Sequence, residues 1–276
     1  MRSREPSRTE PTRADLVRQV AVLIGGAVAI AGGFLGSGAA GGQGQQEVGG
    51  GVLAPDATPV APGETAFSIW SVIYTGLVVY AIWQVLPSQR SDARQRRVGW
   101  WVLGSMVLNA LWILVVQVEL LWLSVPVIVV LLATLLVIMA RLLEQRSGGP
   151  LEAVVVDGTL GLYLGWVVVA TIANIAALVT AEEVGTVSDA WAVVALVVAG
   201  AAGASLAVWT GGRLAIGAAI VWGLVWIVVA RTAGDLESVP AGVTAGIAAA
   251  VVLVATVWLR ARRPGREDAG PATAGR

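Results

Sequence analysis

The sequence predicts an all-α integral membrane protein, an eight-span helical bundle, and three observations carry that prediction. Apolar residues make up 57% of its 276 residues and charged residues 13%, against roughly 25% charged in soluble domains. The apolar residues fall into eight stretches near the ~20 residues that a ~30 Å hydrocarbon core needs. The charges between those stretches alternate in sign from one side to the other. Mean hydropathy is +0.79. This composition excludes a soluble enzyme or a nucleic-acid binder. Histidine and cysteine are both absent, which removes disulfides, Cys or His metal sites and His-dependent triads.

The spans are expected at 17–37, 66–86, 98–118, 121–142, 153–179, 190–209, 212–230 and 241–260. The fifth is the longest and must tilt or protrude. Gln117 and Glu119 divide the third from the fourth, and the turn Thr210-Gly211-Gly212-Arg213 divides the sixth from the seventh. All 18 cationic residues are Arg. Arg2, Arg4, Arg8, Arg13 and Arg18 precede the first span. Arg90, Arg94, Arg96 and Arg97 lie between spans two and three, Arg141 and Arg146 between four and five, and Arg213 between six and seven. Arg260, Arg262, Arg263, Arg266 and Arg276 follow the last. With both termini cytoplasmic in the cell (plasma) membrane, Arg231 alone lies outside, while Glu47, Asp56, Glu64, Glu119, Glu182, Glu183, Asp189, Asp235 and Glu237 face outward. That is the positive-inside pattern.

The first span, with arginines before it and small residues after it, also reads as a secretory signal peptide. Its apolar run is long for one, so a retained helix is expected. Residues 39–65 form the longest outer loop, rich first in Gly and then in Pro (Pro55, Pro59, Pro62). Composition favours a plain linker, and the functional alternative is a lid over an outward opening. Residues 1–15 and 264–276 are expected to be cytoplasmic tails.

Helical periodicity sorts the polar and aromatic residues within the spans onto faces. In the fifth span, Thr159, Tyr163, Trp166, Ala170 and Asn174 share one face, and Gly158, Gly161 and Gly165 gather on the other. The glycine face invites close approach of a neighbouring helix. In the second span Phe67, Trp70, Tyr74, Leu77, Ala81 and Gln84 align, and in the third Trp101, Ser105, Asn109 and Trp112. Tryptophans at span ends suit an interfacial belt; Trp112 and Trp166 lie too deep for that. Helix packing, with Asn109 and Asn174 as interhelical hydrogen-bond donors and acceptors, and a ligand pocket both account for these stripes.

These residues resemble the tryptophan-rich sensory proteins, the TspO/MBR or translocator protein family. Tyr163, Trp166, Ala170, Thr171 and Asn174 match that family's Y-x-x-W-x-x-x-A-T-x-x-N pattern. Asn109 and Trp112 match its N-x-x-W, and Pro62, Phe67, Trp70 and Tyr74 match the start of its second helix. The resemblance covers about residues 17–180. Three departures stand out. Two residues rather than three separate Phe67 from Trp70, the first outer loop lacks a Trp-x-Pro-Pro stretch, and no Arg closely follows Tyr163.

The resemblance implies a five-helix TspO-like membrane domain at 16–180 and leaves 181–263 as an appended three-helix extension, with Trp222 and Trp226 on one face of its second helix. It implies a pocket for small, flat, apolar ligands such as tetrapyrroles (porphyrin or haem) or sterol-like molecules, with no required cofactor. Its lining would be Phe67, Trp70, Tyr74, Asn109, Trp112, Tyr163, Trp166, Ala170 and Asn174. Haem would have to be held by stacking or through Tyr, without His or Cys. The expected role is binding, sensing or transport modulation, with no catalytic residues and no metal. The alternatives are facilitative transport of a small amphipathic solute and an enzyme that degrades porphyrins. Expected partners are the lipid bilayer and the small apolar ligand, not nucleic acid, with a homodimer as an option. Asp157, the one acid well inside a span, is expected to be capped or to snorkel, which argues against ion-coupled transport.

Overall fold

The computed structural model describes residues 10–36, 44, 46–145, 147–181 and 188–262. The expectations for residues 1–9, the glycine-rich 37–43, Arg146, Glu182, Glu183 and the tail from Arg263 lie outside the described residues. Every expected span is a helix. They are α1 (Arg13–Gly36), α2 (Glu64–Trp83), α3 (Ala93–Gln117), α4 (Leu121–Leu143), α5 (Pro150–Ala181), α6 (Asp189–Thr210), α7 (Leu214–Ala233) and α8 (Val239–Ala261). The described residues contain no strand. The all-α integral membrane class is therefore correct.

The two tight joints have local causes. Between α3 and α4, Glu119 takes a left-handed conformation (φ 58), and the Leu120 amide donates back to the Val115 carbonyl at 3.0 Å. Between α6 and α7, Gly211 and Gly212 supply the positive φ values of 64 and 74, and the Gly212 amide donates to the Ala207 carbonyl at 2.7 Å. That is a glycine-closed helix end of the usual kind.

The first five helices close on themselves. α1 packs on α3, α3 on α4, α4 on α5, α5 on α2, and α2 back on α1. α7 then seats on α5, and α8 packs on both α6 and α7. α5 is consequently the most buried helix. Its glycine face is where α7 docks. A Cβ at Gly161 would stand 2.9 Å from Ala215 Cβ, one at Gly165 would stand 2.9 Å from Ala219 Cβ, and one at Gly223 of α7 would stand 2.9 Å from Val169 Cγ1. Small residues alternate between the two helices and bring the backbones together, the device expected of helix pairs in lipid.

Among the described residues, five of the arginines expected on the cytoplasmic side, Arg18, Arg94, Arg96, Arg97 and Arg213, form ion pairs. Arg94 reaches Glu152 at 2.8 Å and Asp157 at 2.5 Å, and Arg213 also binds Asp157. Asp157 lies in a π-type turn, Ala153–Gly158, at the start of α5, so it is neutralised rather than presented to lipid. Arg96 grips the Asp15 carboxylate with two nitrogens at 2.7 and 2.6 Å, and Arg18 donates to the Arg90 carbonyl at 2.8 Å. Arg213 and Asp157 both stand at the N-terminal ends of their helices, so α5 and α7 run parallel, as eight-span alternation requires.

Candidate functional site

The aromatic-polar stripes of α2, α3 and α5 converge. Trp70 of α2 stacks on Tyr74, one turn further along, with ring centroids 5.1 Å apart. It meets Tyr163 and Trp166 of α5 edge-on at 6.0 and 6.2 Å. Phe67 meets Trp166 edge-on at 5.7 Å. The first turn of α2, Glu64–Ser68, is 3-10 in form, and a 3-10 turn brings residues i and i+3 nearly into line. Phe67 lies in that turn and Trp70 in the α-helical part that follows, and both rings reach Trp166. These T-shaped and offset geometries are the ones aromatic quadrupoles favour.

Hydrogen bonds fix the polar members. Asn109 Nδ2 donates to the Tyr74 hydroxyl at 3.0 Å, and Tyr163 donates to the Ser105 carbonyl at 3.1 Å. Trp112 Nε1 donates to Asn174 Oδ1 at 2.9 Å, and Asn174 Nδ2 donates to Ser124 Oγ at 2.8 Å. The last two bonds join α3, α5 and α4, so Asn174 is an interhelical tie.

Between these side chains lies an apolar cavity toward the C-terminal end of α5. The part nearer the loop before α2 encloses about 40 Å³ and is bounded by Phe67, Trp112, Trp166, Ala170, Asn174 and the loop residues Val52, Leu53, Thr58, Ala61 and Pro62. Its deeper part, about 20 Å³, shares Phe67, Trp112, Trp166 and Ala170 and adds Trp70, Asn109, Ile128 and Leu131. Three buried polar atoms of the lining residues have no hydrogen-bond partner: Asn109 Oδ1, Trp166 Nε1 and Thr58 Oγ1. Buried polar groups are nearly always paired, so an unpaired acceptor and donor beside an apolar cavity suit a ligand with a polar edge.

The family model for TSPO-like proteins matches residues 20–258. The chain belongs to the TSPO-like family. No curated protein and no solved structure matches it.

The match takes in all eight helices of this TSPO-like protein, including the three beyond residue 180. Seven of the nine residues expected at the site, Phe67, Trp70, Asn109, Trp112, Trp166, Ala170 and Asn174, border the cavity. Tyr74 and Tyr163 stand behind Trp70 and buttress it. The sequence reading missed Ser124, whose only signal is a hydroxyl near the start of a largely apolar helix. It also left the outer loop between linker and lid. The later, described part of the loop is packed: Thr58, Val60 and Ala61 are buried, and Thr58, Ala61 and Pro62 border one end of the cavity.

Proposed function

We propose that this TSPO-like protein binds a small, flat, apolar ligand of the tetrapyrrole or sterol-like class in the cavity between α2, α3, α4 and α5. It acts there as a sensor or transport modulator rather than an enzyme. The observation that carries the reading is the cavity wall, in which the rings of Phe67, Trp112 and Trp166 line apolar space beside the unpaired Asn109 Oδ1 and Trp166 Nε1. Broad aromatic faces with a few oriented polar atoms are what a flat ligand with a polar rim requires. The arginine distribution supports a plasma-membrane orientation with both termini cytoplasmic, which makes the loop-covered end of the cavity extracytoplasmic.

The tyrosines bear on how a porphyrin would be held. Tyr163 is committed to the Ser105 carbonyl, Tyr74 accepts from Asn109, and neither borders the cavity. Stacking and rim hydrogen bonds, not ligation of iron, are then the binding forces. The test is a fluorescence titration of the full chain with metal-free protoporphyrin IX and, separately, with haem. Saturable Trp quenching at one equivalent, with affinities within about threefold for the two (under ~0.7 kcal/mol), is the expected result. Linear, unsaturable quenching would remove the pocket reading, and a strong preference for haem would replace stacking with ligation.

A further inference from the structure

Arg231 is the one arginine on the extracytoplasmic side, and it is buried near the end of α7. A cation there opposes the positive-inside rule and is costly in an apolar setting unless it is fully engaged. Among the described residues it makes no salt bridge. Its guanidinium donates instead to two backbone carbonyls of the outer loop, that of Thr58 at 3.2 Å and that of Pro55. Two further bonds join the same helix to the same segment. The Gly63 amide donates to the Trp226 carbonyl at 3.1 Å, and Trp222 Nε1 donates to the Ala66 carbonyl at 2.9 Å. The stretch from Pro55 to Ala66 is thus pinned at four points by α7, and its other face closes the cavity through Thr58, Ala61 and Pro62. α7 itself borders neither part of the cavity.

We propose that α7 is the latch of the outer loop: Arg231, Trp222 and the Trp226 carbonyl hold the loop shut, and their release opens the cavity to the extracytoplasmic side. The extension regulates access to the site without contributing to its lining, and this rests on the pocket proposed above. Charge-assisted bonds to buried carbonyls are among the stronger single hydrogen bonds. Release of Arg231 is therefore the step that governs local opening, an event of the kind that limits access to covered sites. Arg231 is a positioning residue, since it acts on the ligand only through the loop.

The experiment uses the full chain in lipid nanodiscs and exploits the absence of native cysteine. In the first arm, Val60→Cys places one thiol at a buried loop position, and its reaction with a maleimide reports loop opening with no ligand present. Arg231→Met in that background is expected to raise the labelling rate at least tenfold, with helicity and monodispersity unchanged. Arg231→Lys, which keeps the charge and fewer donors, should fall between. In the second arm, a Cβ on Gly63 would stand 3.6 Å from Ala230 Cβ, within the spacing a disulfide needs. The pair Gly63→Cys and Ala230→Cys, once oxidised, is expected to slow protoporphyrin IX association at least tenfold, and reduction should restore it. An unchanged labelling rate in Arg231→Met, or wild-type association in the oxidised pair, would overturn the latch. Absence of saturable porphyrin binding in the wild-type chain would instead overturn the pocket, and the labelling arm would still decide the latch.

Discussion

Gly165→Ala adds one carbon on the face of α5 that receives α7. That carbon would overlap the carbonyl oxygen of Ile216 and stand 2.9 Å from Ala219 Cβ, where carbon pairs ordinarily rest about 3.5–4.0 Å apart. The obstructing atoms are helix backbone and a methyl fixed to it, so no rotamer change relieves the overlap. α7 must retreat by about 1 Å, which loosens the Gly161–Ala215 and Gly223–Val169 contacts on either side. Overpacking of this kind costs about 1–3 kcal/mol, while the better helix propensity of Ala offsets up to ~1 kcal/mol. A net loss of about 1–2 kcal/mol is expected. Gly104→Ala is the control, because nothing lies within 4 Å of its Cβ position and it should stabilise by roughly 0.5–1 kcal/mol. Reversible unfolding in mixed detergent micelles, followed by helicity, gives both values. If Gly165→Ala proves as stable as Gly104→Ala, α7 does not dock on the glycine face of α5.

Asn174→Ala removes two interhelical bonds, at about 0.6 kcal/mol each in a membrane. It also strands the buried Trp112 N–H, so a total near 2 kcal/mol is expected. Ser124→Ala leaves the Trp112–Asn174 bond in place and should cost less than half of that. Equal costs in the same unfolding assay would show that Asn174 is not the shared tie. For topology, a cysteine at the exposed Glu47 should react with an impermeant thiol reagent in whole cells, and one at the exposed Ser88 should not. The reverse pattern would invert the orientation.

Hydropathy and charge made the spans legible, because a bilayer constrains length and sign directly. The glycine face of α5 was legible for the same reason, as a periodic pattern on one helix. Its partner was not, since nothing local in Gly161 or Gly165 says that α7 rather than another helix will dock there. The stripes of α2, α3 and α5 foretold which helix faces converge, but a stripe gives a direction and not a depth. Tyr74 and Tyr163 share the faces of Trp70 and Trp166, yet they stand behind the wall. Ser124 was unreadable, one of two hydroxyls on α4 beside Thr134, because its role depends on the distant Asn174. The outer loop was ambiguous because Gly and Pro suit a linker and a packed lid alike. What packs it is a set of bonds from Arg231 and Trp222 to backbone carbonyls, which leave no trace in residue spacing.

Ala170 borders both parts of the cavity, and its small side chain keeps the space between Phe67, Trp112 and Trp166 open. Ala170→Leu fills that space from a helical position without removing a hydrogen bond or an aromatic ring. Titration of this variant with protoporphyrin IX, beside the wild-type chain in the same nanodiscs, tests the pocket most directly. Saturable Trp quenching is expected to weaken at least tenfold while helicity and monodispersity are retained. Undiminished affinity in a folded Ala170→Leu protein would place the ligand elsewhere and contradict it.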